Sequence, residues 1–431
     1  MYESVRSLLE LVGESVSPWH TVEAVRNRLE DQEFHRLELG GNWHIEKEGR
    51  YYIEVYGSTI LAFTVGRENF LGKNALRISA SHTDFPGLRI KPSPEVLKNG
   101  YGVLNIEGYG GLILSSWQDR PLSLAGKVAL RGENPFEPRI RLVDYARALL
   151  TIPSLAIHMN RKVNEGVAIS KQKEMLPLMA VLGPDGEKSF FMSSLARELG
   201  CSKEDILSYE LNLYPYEGGC SLGLAGELVS SPRLDNITSV EACLQGIAAS
   251  CAARGEGICL AAFFDNEEIG SRTKQGAGSG ILLEVIERIY HGLGYGRDEM
   301  WQAISNGFML SVDVAHGIHP NYPEKYDITT KPMLNGGVVL KQAASQSYAG
   351  DAEAVAVVSA ICRKAQIACQ RFVNHSDKPG GSTLGSIASA LAPMRTMDIG
   401  VPILAMHSAR ETMGACDQDA LNDLLRAYYT I

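Results

Sequence analysis

Between residues 231 and 431 the chain alternates two kinds of apolar spacing. In DNITSVEACLQGIAASCAA, Ile237, Val240, Leu244 and Ile247 recur every three or four residues and predict a helix with one apolar face. GICLAAFF follows, short and continuously apolar, as a strand buried on both faces would be. SGILLEVIERIYHGLG then reads as a helix, FMLSVDVAHG as a strand, AEAVAVVSAICRKAQIACQ as a helix and VPILAMHS as a strand. Such alternation predicts a sheet with helices on both faces. Near the start, MYESVRSLLELVGESVSPWH reads as an amphipathic helix and not as a signal peptide. YYIEVYGSTILAFTVG reads as paired strands, and ALRISASHTD as a further strand ending in polar residues.

From about 89 to 230 the pattern differs. PSPEVLKNGYGVLNIEGYGGLILSSWQDRPLSLAGKVALRG is rich in glycine and short β-like runs. VDYARALLTIPSLAIHMNR has helical spacing broken at Pro153, and NEGVAISKQKEMLPLMAVLGPDGE is polar and turn-rich. The expected organisation is an α/β domain made of 1–88 plus 231–431, with a β-rich domain, 89–230, inserted. A length of 431 residues suits two domains.

Composition narrows the function classes. With 45% apolar and 21% charged residues the chain reads as soluble and globular. The formal charge is −9 and no Lys/Arg-rich run occurs, so nucleic acid is not an expected partner. No 18-residue apolar stretch predicts a membrane span. The eight cysteines include no C-x-x-C pair, which fits reduced thiols and a cytoplasmic location.

In open α/β sheets, ligands bind beyond the carboxyl ends of the strands. The polar residues at predicted strand ends are His82 and Asp84, Glu267 and Glu268, Asp313, and His407, with Asp235 where SPRLD meets a helix. Each alone has a plain structural reading: Asp235 as a helix cap, Asp313 as a loop residue. The ordered set His-x-Asp, Asp, Glu-Glu, Asp, His suits two divalent metals, most naturally zinc, with Co²⁺ or Mn²⁺ as alternatives. Ions roughly 3.5–4 Å apart repel, and a bridging carboxylate offsets this; Asp235 is the expected bridge. His82 and Asp313 then serve one ion, and Glu268 and His407 the other. Asp84 is expected to fix the tautomer of His82 from behind. Neighbouring side chains on a strand face opposite ways, so Glu267 is expected to stay off the metals and act as general base toward a metal-bridging water. His20, His35, His44 and His291 lack such a setting, and His316 and His319 are rival ligands or loop residues.

At these residues the chain resembles the M18 metalloaminopeptidases, a family that includes aspartyl aminopeptidase. The stretches that carry the resemblance are SASHTDFPGLRIKP, SPRLDNITS, FFDNEEIGSRTKQGAGS, SVDVAHGIHPNYPEKYD and HSARETMGACD. The resemblance implies a zinc-peptidase three-layer α/β catalytic domain with an inserted β-rich lid and oligomerisation domain. It implies the same five ligands, His82, Asp235, Glu268, Asp313 and His407, with Glu267 as base. It also implies a tetrahedral homododecamer acting on short peptides, with His158 (LAIHMNRKVNEG) reaching a neighbouring subunit's site. Lys341 (GGVVLKQAASQSYA) and the segment NHSDKPGGSTLGS are implied on the substrate side. KQAASQSYA departs from the Arg-Tyr-Ala-Ser wording of aspartyl aminopeptidases, which leaves acidic and neutral first residues both open.

The same metal set can serve a carboxypeptidase or small-molecule deacylase. That would need an arginine fork for a carboxylate, and Arg89, Arg233 and Arg272 lie near the motifs. A non-catalytic assembly on this fold would tolerate loss of Glu267 or a ligand, and none is lost. A serine hydrolase would need a G-x-S-x-G elbow, which the sequence lacks.

Overall fold

The computed structural model describes residues 2–166, 168–183, 186–252, 255–378 and 380–431. The chain divides into two compact units, one comprising Met1–Asp84, Gly219–Met406 and Glu411–Ile431, the other Phe85–Gly218 and His407–Arg410.

Among the described residues the first unit carries a nine-stranded sheet. Its order is His35–Arg36, Arg50–Val55, Thr59–Val65, Ile258–Phe264, Leu76–His82, Phe308–Val312, Arg395–Gly400, Val338–Lys341 and Cys369–Phe372. The four central strands run parallel, with Phe264 beside His82 and Val312 beside Ile399. Ile258–Phe264 and Leu76–His82 are buried along their whole length, which is why their sequences run apolar without alternation.

Helices cover both faces, which makes three layers. On one face Glu3–Glu14, Pro18–Asp31, Leu234–Ala252, Ala352–Ala365 and Ala415–Thr430 enclose a core that includes Ile237, Val240, Leu244 and Ile247. On the other, Ile281–Gly292, Arg297–Asn306 and Leu384–Leu391 pack Val285, Ile289, Ile304 and Ala388 onto the sheet. A second sheet of five short strands, with Glu411–Gly414 at its centre, brings Leu228–Ser231 and Pro402–Leu404 together. It accounts for 219–230 falling in the first unit. No described helix is long and apolar enough to cross a membrane.

The second unit is built on a six-stranded sheet, in the order Arg139–Asp144, Leu122–Leu130, Ile206–Pro215, Gly87–Lys98, Tyr101–Tyr109 and Leu178–Val181. Every pairing in it is antiparallel.

Two elements differ from the sequence pattern. The helix expected over 143–161 is absent. Leu149 and Leu150 donate backbone hydrogen bonds to Leu122, and Leu150 and Ile152 enter the core as extended chain. Their apolar spacing mimics a helix, but tertiary pairing decides. The helix Ala352–Ala365 ends at Gln366, in a left-handed conformation, and Cys369–Phe372 forms the edge strand.

Candidate active site

His82 ends a fully buried strand, and its ring is 1% exposed. Nε2 faces three carboxylates, at 3.5 Å from Asp235 Oδ1, 3.6 Å from Asp313 Oδ1 and 4.0 Å from Glu267 Oε2. Nδ1 faces Asp84, 3.3 Å from Oδ1 and 3.0 Å from the backbone carbonyl. A hydrogen on Nδ1 therefore leaves the Nε2 lone pair for a metal. His82, Asp235 and Glu268 each present a ligand atom within 4.8 Å of the others. Among the described residues this is the one such group.

The structure changes the reason why two adjacent glutamates differ. Glu267 and Glu268 lie past the strand, in the 3₁₀ turn Glu267–Ile269, after Asn266 in a left-handed conformation. Strand alternation therefore does not separate them. Their backbone N–H groups converge on one partner: Glu267 donates to Asp84 Oδ1 and Glu268 to Asp84 Oδ2, each at 3.1 Å. Asp84 thus supports both His82 and the Glu-Glu turn, a wider role than holding one tautomer.

Asp235 sits at a break in the helix Leu234–Ala252, where it and Asn236 have non-helical dihedrals and a cis peptide joins them. Its N–H donates to Glu411 Oε2 at 3.0 Å, and Asn236 Nδ2 donates to the Val312 carbonyl at 3.0 Å. The latter bond ties this break to the strand that delivers Asp313. Lys341, expected on the substrate side, is 2% exposed. Its ammonium donates to Asp313 Oδ2 at 3.3 Å and to the Val314 carbonyl at 3.1 Å.

Two expected residues lie in the second unit. His407 has a positive φ of 66°, and its carbonyl accepts the Ile113 N–H at 3.1 Å. His158 is exposed in a turn. In NHSDKPGGSTLGS, Pro379 lies outside the described residues, while Thr383 donates to Asp398 Oδ2 at 2.8 Å. His316 and His319 do not join the ligand group. Of the arginines weighed as a carboxylate fork, Arg89 bonds Asn212 and Glu210, and Arg233 donates to the Val12 carbonyl.

Glu411, Asn236 and the Lys341–Asp313 pair were missed by sequence reasoning. Glu411 had a faint signal, an acid four residues after His407 in HSARETMGACD.

Electrostatics shows why this cluster suits cations. Burial first, then the charges of Asp313, Asp84 and Asp235, push the Glu267 carboxyl up to about 8, against the pull of His82. Burial and Asp235 hold Glu268 well above the carboxylate range. Burial opposes a charged His82, yet hydrogen bonds to Asp235, Asp313 and Asp84 raise it well above its ordinary value. Burial would raise Asp313, but the Lys341 ammonium and His82 hold it below its usual range. Five carboxylates thus surround one imidazole, with Lys341 as the fixed positive charge. A donor set of imidazole and carboxylate, short of positive charge, fits zinc or a similar divalent ion.

The chain matches the family model of the aminopeptidase I zinc metalloproteases (M18) over residues 11–429. It is 42% identical to a probable M18 family aminopeptidase 2 of Clostridium acetobutylicum, covering all of this chain and 99% of the relative. It is 38% identical to one of Pseudomonas aeruginosa, covering 98% of this chain and 97% of the relative. Among solved structures, Ape4 in complex with Nbr1 superposes with a TM-score of 0.94 at 31% identity, covering 99% of this chain and 85% of that one. The S. cerevisiae mApe1 dodecamer superposes at 0.85 with 23% identity, covering 99% and 96%, and shares the fold. The two bacterial relatives are aminopeptidases by name, which leaves the carboxypeptidase and deacylase alternatives without support.

Proposed function

Since this chain belongs to the M18 family of metalloaminopeptidases, we propose that it removes the N-terminal residue of short peptides at a two-metal centre held by His82, Asp235, Glu268, Asp313 and His407. The observation that carries the reading is the convergence of His82, Asp235 and Glu268, with the Glu267 carboxylate 4.0 Å from His82 Nε2. Bound there, two zinc ions would acidify the attacking water, polarise the scissile carbonyl and take the free α-amine.

The chain's own residues do the rest. Glu267 takes a proton from the attacking water and passes it to the departing amine. Its position on the turn clamped by Asp84 keeps the carboxylate beside, and not within, the ligand group. Asp84 and Glu411 fix the ligand-bearing backbone, and Lys341 holds Asp313 ionised and oriented. Lys341 also bears on specificity. Its ammonium is already paired with Asp313, which favours neutral over acidic N-terminal residues.

Assembly and location extend the reading. The inserted β-rich unit serves as a lid and oligomerisation unit in a homododecamer, and His158 from one subunit adds a hydrogen-bond donor at a neighbour's centre. The eight cysteines, none of them in a disulfide among the described residues, fit a cytoplasmic enzyme.

The test is hydrolysis of aminoacyl-p-nitroanilides and N-blocked peptides, with and without Zn²⁺ or Co²⁺. Metal-dependent release from free N-termini alone supports the reading. Cleavage of blocked peptides would sink it.

A further inference from the structure

The strands that deliver His82 and Asp313 have their other ends at a cavity of about 440 Å³ in the first unit. That lies within the ~300–1,000 Å³ of small-molecule sites. Phe308, 1% exposed, begins the strand that leads to Asp313, and Arg77 lies at the start of the strand that ends in His82. Val357, Ala360 and Ile361 form one wall, spaced so that a single face of the helix Ala352–Ala365 presents them. The lining is mainly apolar, yet it also carries Lys73, Lys364 and Glu256.

The charges decide the ligand. Arg77 is committed, donating to the backbone oxygens of Tyr428, Tyr429, Ile431 and Glu256. Lys73 and Lys364 come from separate segments, are exposed, and make no ion pair among the described residues. Glu256 accepts from Asn69 Nδ2 at 2.6 Å and keeps further acceptor capacity. An inorganic anion would leave the apolar wall uncovered. A purely apolar molecule would make no use of the two exposed ammonium groups. A molecule with an apolar body, a carboxylate and an ammonium group matches all three features.

We propose that this cavity is a non-catalytic binding site for a free apolar α-amino acid, the class of product that an aminopeptidase releases. The side chain lies on Phe308 and the Val357–Ile361 wall, the carboxylate between Lys73 and Lys364, and the ammonium toward Glu256. The site stands apart from the metal ligands, so its occupancy does not depend on the assignment of the centre.

The test is equilibrium dialysis of labelled L-leucine against the metal-loaded enzyme, alongside Ala360→Trp and a Lys73→Ser/Lys364→Ser double variant. None of these residues belongs to the catalytic machinery, so both variants should keep the basal hydrolysis rate and the wild-type melting cooperativity. The wild type is expected to bind one more leucine per chain than either variant, and that extra site should persist after chelation of the metal. 4-Methylpentanoate, which lacks the ammonium, should bind this site at least tenfold more weakly. Equal stoichiometry in wild type and variants would overturn the proposal. So would inorganic phosphate competing for the site as effectively as leucine.

Discussion

The two ends of the central strands follow opposite rules. At the amino end of Leu76–His82, hydrogen bonds tie the strand to the last helix and to its neighbouring strands. The Arg77 guanidinium serves four backbone oxygens. The Tyr428 hydroxyl accepts the Ile78 N–H and donates to the Phe308 carbonyl at 2.6 Å, while the Tyr429 hydroxyl accepts from Ser79 and lies 2.5 Å from the Leu260 carbonyl. Five residues further along the same strand, carboxylates crowd His82 with little positive charge to balance them. One end of the strand is tied down by hydrogen bonds to the last helix, and at the other like charges crowd one imidazole. Rigidity at the first end is what lets the second hold like charges close together.

The largest expected effect lies at the carboxyl end. Glu267→Gln keeps the shape of the side chain and removes the proposed base, so kcat should fall by about 10²–10⁴-fold, the usual weight of general acid–base catalysis. Metal content, measured by atomic absorption, and melting temperature should hold. A variant that lost metal in proportion to activity would make Glu267 a ligand and undo the division of labour between the two glutamates.

The matching change at the amino end should act on stability. Arg77→Ala strips donors from four buried or part-buried backbone oxygens, and is expected to lower stability by about 2–4 kcal/mol. Urea denaturation of the metal-loaded protein measures this, and KM should stay within about twofold. A large change in KM would mean that the two ends are not separable.

Between these extremes lies Lys341→Met. The ammonium touches Asp313 and the Val314 carbonyl, so its loss should weaken metal binding by roughly 10–100-fold, as for other groups that orient a ligand. Competition with a chelator gives the affinity. If Lys341 instead served acidic substrates directly, metal affinity would hold and only the KM for aspartyl and glutamyl substrates would rise.

The sequence made these two ends unequally legible. Local signals find His82 and Glu268, where an apolar run turns polar, and Asp235, where SPRLD meets a helix. What holds them in place is non-local. Asp84 meets the Glu268 N–H across 184 positions, and Glu411 meets the Asp235 N–H across 176. No periodicity encodes such contacts. The amino end was not read at all, because Arg77 looks like any surface arginine until the last helix is seen to end on it. The mistaken helix over 143–161 has the same cause: pairing with the distant Leu122 overrides local spacing.

The smallest effect is the change in stability of the metal-free chain from one half-unit pH step to the next. Burial and the neighbouring carboxylates hold Glu267 up to about 8, whereas a glutamate in an unfolded chain titrates near about 4.3. Between those values the folded chain keeps a proton that the unfolded chain has released. His82, raised by its hydrogen bonds to Asp235, Asp313 and Asp84 despite burial, acts in the same direction above its ordinary value. Native protons exceed unfolded ones, so stability must fall as pH rises. Glu268, held up by burial and Asp235, adds a second trapped proton, so the slope from pH 5 to 8 should be negative throughout and at least about 1 kcal/mol per pH unit in size, against the roughly 1.4 that one fully trapped proton gives. Metal loading displaces these protons and should flatten the profile. Denaturation midpoints with and without chelator, in half-unit steps of pH, give both curves. Parallel curves would mean that the carboxylates at this end are as well compensated as the polar groups at the other, and the contrast between the two ends would fail.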